Sequence, residues 1–442
     1  RLARTVARPI VKFLAQEAAS GVLLLAATAV ALLWANFGGD TYHDFWDTEV
    51  EIASGSWHPF QHGEHGLSLK LWVNDALMVL FFFVVGLEIK RELVVGELSS
   101  AEKAVLPVAA AVGGMFVPAA MYFAFNTGGP GASGWGVPMA TDIAFALGVL
   151  AIFGTRAPLG LKVFLTALAI ADDLGAVVVI ALFYTEKINV VALAVAVVFL
   201  VILYPVVRLR VKRRGLVLAI MVVVWLAIFT SGVHATIAGV LLALVIPVRP
   251  KVSPRQFVSD AEAVLEKLKQ RQESESCIVT DREQLHALEF VHSGAGDALP
   301  AGLMLEHSLH PVQVWFVLPL FALANAGVRI DSHIGEALAN PISLGIIAGL
   351  VVGKPIGITL MTWLAVKSGK GFLPQGVNWM QIVGAGCLAG IGFTMSLFIA
   401  DLAWNDEALI ANAKIGILAA SLVSGILGFV LLSRSLPKEE LQ

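Results

Sequence analysis

Charge is what this sequence has least of. Only 14% of its 442 residues are Asp, Glu, Lys or Arg, against about a quarter in a soluble domain. With 57% hydrophobic residues and a mean hydropathy of +0.81, that scarcity excludes a soluble globular enzyme and a disordered chain. An excess of one sign is missing too. The 30 Lys and Arg set against 33 Asp and Glu leave a net charge of −3, so nucleic acid is not an expected partner. Cysteine is almost absent: Cys277 and Cys387 are the only two, which excludes a disulfide framework.

Long apolar runs fill the space that charge leaves. Residues 18–39, 104–141, 188–207, 215–248, 307–328, 371–400 and 415–433 contain no Asp, Glu, Lys or Arg. Barrel strands alternate and do not give such runs. Helices satisfy their own backbone in lipid. The expected fold is therefore an all-α polytopic membrane protein of about 12 transmembrane helices, with the lipid bilayer as its solvent. The run 215–248 holds 34 residues, roughly 50 Å of helix, and basic groups flank both its ends. Two short helices meeting near Thr230-Ser231-Gly232 fit that length and that charge pattern.

Spans are read near 18–37, 71–89, 104–125, 134–154, 160–184, 189–207, 215–230, 232–247, 311–328, 341–365, 379–401 and 410–433. Basic clusters such as 208–214 fall on alternate connections, which puts both termini inside by the positive-inside rule. No signal-peptide pattern precedes the first span, and the start at Arg1 in place of Met reads as a trimmed end. The organisation is helices 1–8 over 1–247 with an outer loop at 38–70, an enlarged cytoplasmic loop at 248–310, helices 9–12 over 311–434, and a tail at 435–442. The capping-box spacings Ser259/Glu262 and Thr280/Glu283 predict two amphipathic helices in the inner loop, the second ending near Gly294. His43, His58, His62 and His65 lie in the outer loop, spaced loosely and without Cys partners, so no metal site is read there.

Ionisable groups inside apolar spans cost about 2.5–3.5 kcal/mol each on insertion scales, so they mark function. Asp142, Asp172, Asp173 and Lys354 are the four. One Asp–Lys pair would serve packing alone, but it leaves two carboxylates unexplained. Adjacent Asp172 and Asp173 diverge by about 100° on a helix and should have different tasks. Side by side in a low dielectric, they resist ionising together. Na⁺ and Li⁺ are hard ions that want oxygen ligands, which carboxylates, the Thr141 hydroxyl and freed backbone carbonyls supply. Freed carbonyls need interrupted helices. Pro138 breaks one span, and Gly384, Gly386, Gly390 and Gly392 break another. These two are the middle members of triplets over 104–184 and 341–433 that start on opposite sides of the membrane, the layout of an inverted repeat. At their crossing, Asp142 would offset one set of half-helix ends and Lys354 the other.

These residues resemble one family, the bacterial NhaA-type sodium/proton antiporters. The resemblance runs in order through Asn-Asp-Ala-Leu-Met-Val-Leu-Phe-Phe-Phe-Val-Val-Gly-Leu-Glu-Ile-Lys-Arg-Glu-Leu (74–93), Ala-Thr-Asp-Ile-Ala-Phe-Ala-Leu-Gly (140–148), Ala-Asp-Asp-Leu-Gly-Ala (171–176), Ser-Gly-Val-His-Ala-Thr (231–236), Leu-Pro-Leu-Phe-Ala-Leu-Ala-Asn-Ala-Gly (318–327), Gly-Lys-Pro-Ile-Gly (353–357) and Gly-Ile-Gly-Phe-Thr-Met-Ser (390–396). It implies a secondary transporter of the bacterial inner membrane, not an enzyme and without cofactor. Such a protein exports Na⁺ or Li⁺ electrogenically against entering H⁺ by alternating access. It implies Asp172 and Asp173 as the cation and proton site, Lys354 as the basic partner, and Thr141 and Asp142 at the crossing. It implies pH sensing at the cytoplasmic mouth by Glu88, Arg91, Glu92, His234, Glu306, His307 and His310, and Asp75 at the outer mouth. It also implies a homodimer through a β-hairpin in the outer loop, for which Glu49-Val50-Glu51-Ile52 and Leu67-Ser68-Leu69 would be the strands. Two departures stand out: the inner loop exceeds the family expectation by dozens of residues, and residues 53–66 are too many for a tight turn. The rival readings are a sodium-coupled organic-anion symporter of the same fold class, an intramembrane aspartyl protease and a channel or sensor. The protease pattern Gly294-Ala295-Gly296-Asp297 lies in the charged loop, not in a span.

Overall fold

The computed structural model describes residues 2–50, 61–62, 65–185, 188–208, 214–270, 282–330 and 334–437. Its helices are α1 (Leu2–Phe37), α2 (Leu69–Val94), α3 (Ala101–Asn126), α4 (Ile143–Ile152), α5 (Leu159–Phe183), α6 (Val190–Arg208), α7 (Arg214–Phe229), α8 (Thr236–Val245), α9 (Pro254–Gln270), α10 (Arg282–Ala298), α11 (Ala301–Asn325), α12 (Pro341–Lys367), α13 (Trp379–Ala389), α14 (Phe393–Ala403) and α15 (Glu407–Ser435). Among the described residues, eight helices are long and apolar enough to cross a membrane, and ten spans result when each of two bent pairs counts as one. Two shorter apolar helices, α7 and α8, stand where the sequence reading expects the spans 215–230 and 232–247. Their turn rests on Gly232, whose φ of +80° suits a residue without Cβ.

Both interrupted spans are present. A 3-10 segment, Pro130–Met139, leads through extended backbone at Ala140 and Asp142 into α4, bent by 41°. The α13/α14 pair bends by 46° around Gly390–Gly392. They run antiparallel past one another, because α14 packs on the 3-10 segment while α13 packs on α4. The outer members of the triplets hold this crossing. Helices α3 and α12 approach so closely that a Cβ on Gly113 would lie 2.1 Å from the Gly357 carbonyl, and a Cβ on Gly357 equally close to that of Gly113. Small residues admit such backbone contact in membranes, and this contact sets the depth at which Lys354 enters the core.

The segment 248–310 departs from its expected form. Its last part is not loop: α11 starts at Ala301 and runs into the span expected at 311–328, continuous because a π turn at Gln313–Val317 absorbs the donor lost at Pro311. Two amphipathic helices, α9 and α10, do pack on each other. However, Ser259 lies inside α9, and its first turn is capped by Ser253, whose Oγ accepts from the Gln256 amide at 3.2 Å. Gly294 does not end α10. It is where the Phe257 ring packs, 2.8 Å from a Cβ placed there. Thr280 lies outside the described residues.

In the outer loop, strands β1 (Glu49–Val50), β2 (Gln61–His62) and β3 (His65–Ser68) pair in the order β1-β3-β2, with Glu49 opposite Ser68 and Val50 opposite Leu67. The two predicted strands therefore do meet, although Glu51 and Ile52 lie outside the described residues. Leu69 already belongs to α2, whose first turn is capped by Ser68, the Oγ accepting from the Leu71 amide at 3.3 Å.

Candidate functional site

Among the described residues Lys354 is the most deeply buried charge, with no exposed surface. Its Nζ donates to Asp172 Oδ2 at 2.6 Å and to the Thr141 hydroxyl. Thr141 Oγ1 lies 2.7 Å from Asp172 Oδ2 and 2.9 Å from the Ala389 carbonyl. Ala389 is the last residue of α13, so Thr141 links the buried ion pair to the partly negative end of that half-helix. Lys354 does not itself cap a half-helix, contrary to the expectation. Asp172 outcompetes the carbonyls because a full charge attracts an ammonium more strongly than a partial one.

Asp142 serves both N-terminal half-helix ends. Its Oδ1 accepts from the Phe145 amide of α4 at 3.1 Å, while Oδ2 accepts from the Thr394 amide of α14 at 3.1 Å and from the Thr394 hydroxyl. Its own amide donates to the Ile391 carbonyl at 2.7 Å. One carboxylate thus neutralises two converging positive helix ends and fastens the crossing.

Asp172 and Asp173 diverge as adjacent helical positions must. Asp172 turns to Lys354. Asp173 is 2% exposed, and among the described residues its Oδ1 has no hydrogen-bond partner. It lines a cavity of about 340 Å³ that also meets Thr141, Asp142, Thr394, Glu88, Arg91, Glu306, His307, His310 and Gln313. The mouth of that cavity lies at the C-terminal end of α2 and the N-terminal part of α11, where Arg91 pairs with Glu306 and, at 3.3 Å, with Glu92. The arrangement is chemically asymmetric. One carboxylate is held by a cation, and its neighbour faces a water-sized route with an oxygen free to accept. No group of three His, Cys, Asp or Glu among the described residues is placed to hold a metal ion, so a cation here would meet two carboxylates and neutral oxygens.

The expected mouth residues do not all gather. Glu88, Arg91, Glu306, His307 and His310 line the cavity. Glu92 does not; its Oε2 accepts from the Glu97 amide at 2.9 Å and closes the turn after α2. His234 lies at the other end of α2, with Nε2 3.6 Å from Asp75 Oδ1 and Nδ1 2.8 Å from Thr236 Oγ1. Its grouping with the cytoplasmic mouth is therefore corrected. The reason is topological: the α7/α8 turn carrying it returns to the Asp75 end, where the Trp225 indole donates to the Asp75 carbonyl at 3.2 Å. Asp142 is spent on helix ends, so Asp142 and Asp172 do not form the facing pair that a protease would need.

Several polar residues escaped the sequence reading. Thr394 stood in a quoted motif without a role. Gln313, buried with Oε1 unpartnered, followed an unremarkable Pro-Val. Asp401 and Lys414 border charge-free runs and were given no role, yet the side chain of each is more than nine-tenths buried.

Comparison with known proteins agrees with this geometry. A family model described as Na+/H+ antiporter 1 matches residues 11–432. A Na(+)/H(+) antiporter NhaA of Oleidesulfovibrio alaskensis is 48% identical over 427 residues, covering 96% of this chain and 93% of that protein. The Na(+)/H(+) antiporter NhaA 1 of Psychromonas ingrahamii is 45% identical over 93% of each chain. The NhaA of Salmonella arizonae is 44% identical over 95% of this chain and 96% of its own length. Matched from its first span to its last and built around two crossed broken helices, the chain belongs to the Na+/H+ antiporter 1 family.

Proposed function

We propose that this protein is an electrogenic, pH-regulated antiporter that exports Na⁺ or Li⁺ in exchange for H⁺ by alternating access across a bacterial inner membrane. The observation that carries the reading is the unlike environment of neighbouring carboxylates: Asp172 is neutralised by Lys354, while Asp173 lines the cavity with an unpartnered oxygen. A proton on Asp173 leaves the buried set near electrical balance. A sodium ion arriving through the cavity needs anionic oxygen, so it displaces that proton and draws Asp172 away from Lys354. The Thr141 hydroxyl, already at Asp172, supplies a neutral ligand. Cation and protons compete for the same carboxylates, which couples their fluxes without both being bound. An electrogenic cycle needs a second proton per sodium besides the one on Asp173, and Lys354, which loses Asp172 to the cation, is the group that would release it. Asp142 and Thr394 hold the crossing while the bundle rocks around it.

The regulatory part of the reading rests on Glu88, Arg91, Glu306, His307 and His310, which gather at the cavity mouth. Both termini are placed inside by the distribution of basic residues. A second copy is expected to join through the outer sheet.

The reading is tested in proteoliposomes carrying a pH-sensitive dye. Adding Na⁺ or Li⁺ should release the imposed proton gradient in wild type, and Asp173→Asn should lose more than 90% of that response, about the loss of a tenfold rate. A well-inserted wild type that stays silent between pH 6.5 and 9, values at which histidines pass from charged to neutral, would sink the antiporter assignment.

A further inference from the structure

At the end of the molecule away from the cavity mouth, one buried carboxylate ties four spans together. Asp401, near the end of α14, has Oδ1 3.4 Å from Lys70 Nζ and 3.7 Å from Lys414 Nζ. Its Oδ2 accepts from Asn74 Nδ2 at 3.3 Å. Asn74 and Asn325 exchange amide hydrogen bonds at 2.8 and 3.3 Å, and Asn325 is wholly buried at the end of α11. On α2, Asn74 lies 14 residues from Glu88 at the cavity mouth, roughly 21 Å along the axis.

The partners belong to two packing groups. Helices α14 and α15 lie within the group formed by the two triplets, packed on the 3-10 segment, α13 and α12. Helix α2 packs mainly on α8 and α11. The cluster therefore ties the groups to each other on the side away from the cavity mouth. Taking a lone charge out of an ion pair in a buried place is costly. Two lysines on one aspartate reduce that cost: when the groups part, Asp401 keeps Lys414 of its own group, and Lys70, 27% exposed on its side chain, passes to water.

We propose that Asp401, Lys70 and Lys414 are positioning residues of the transport cycle, an ionic tie that closes the far side of the Asp172/Asp173 site while the cavity side is open and that must separate for ions to leave. The inference rests on the transport reading above.

Thiol bridging tests it, in a Cys277→Ser, Cys387→Ser background whose own transport is measured first. Asn74→Cys with Asp401→Cys spans the two groups; Asp401→Cys with Lys414→Cys lies within one. A short, reducible bifunctional thiol reagent should stop Na⁺-triggered proton movement at least tenfold in the first pair, with recovery on reduction, and leave the second pair above half its unbridged rate. Transport that continues through a complete bridge across the groups overturns the proposal. So does equal arrest in both pairs, since that means a general loss of motion. A parallel charge test uses Asp401→Asn and Asp401→Glu. Loosening the tie depopulates the cavity-open state, so the Asn variant should raise the KM for Na⁺ presented at the cavity side about threefold or more without lowering kcat, and Glu should restore it. A fall in kcat alone at unchanged KM counts against the tie. Absence of transport in wild type itself strikes the antiporter reading instead, which keeps the two failures apart.

Discussion

The buried ionisable side chains at the crossing differ in what they satisfy. Asp142 is the clearest case, because its two oxygens accept from the N-terminal amides of two different half-helices. An amide side chain has one acceptor and turns its NH2 toward the other helix end. Asp142→Asn should therefore lose one cap, about 0.5–2 kcal/mol, and Asp142→Ala about twice as much. Unfolding in detergent should rank the variants wild type, Asn, Ala. An Asn variant as stable as wild type would refute the double cap. The presence of Asp142, Asp172, Asp173 and Lys354 was legible in the sequence, since each interrupts an apolar run. Their pairing was not: either aspartate at 172 or 173 satisfied the helical arithmetic, and only the structure shows that Asp172 is the one turned to Lys354.

At the level of elements, the crossing depends on backbone contact. A methyl group on Gly113 would collide with the carbonyl of Gly357, which belongs to a helix and cannot move aside. Gly113→Ala should cost about 1–3 kcal/mol by overpacking and, by shifting the helix that carries Lys354, reduce transport as well. Gly21→Ala is the control, because a Cβ there meets only the Phe145 ring at 3.9 Å. Equal thermal midpoints for the two variants would argue against a packing role for Gly113. The broken spans themselves were readable from Pro138 and the glycines at 384–392, since backbone interruption is a local property. The start of α11, expected at 311, lies at Ala301, and the π turn that accommodates Pro311 leaves no mark in the hydropathy pattern.

For the whole molecule, the outer sheet is the part that the transport core does not use. Strand β1 pairs only with β3 among the described residues, and both its residues are exposed, so it offers an edge to a second copy. Replacing residues 49–66 by a short flexible linker should leave a monomer by light scattering in detergent while Na⁺-triggered proton movement persists in liposomes. Dimers that survive the replacement would place the interface elsewhere.

Composition and local pattern determined that the chain crosses a membrane many times, which spans are broken and which charges lie within them. Those properties depend on transfer free energy and backbone geometry along a few neighbouring residues. The tertiary structure decided what those charges touch. Lys354 meets Asp172 from 182 positions away, and Lys70 meets Asp401 from 331. Such contacts follow from which helix faces cross and at what depth. That is set by packing among glycine-lined backbones and by the direction in which each turn returns the chain, as the move of His234 to the Asp75 end shows.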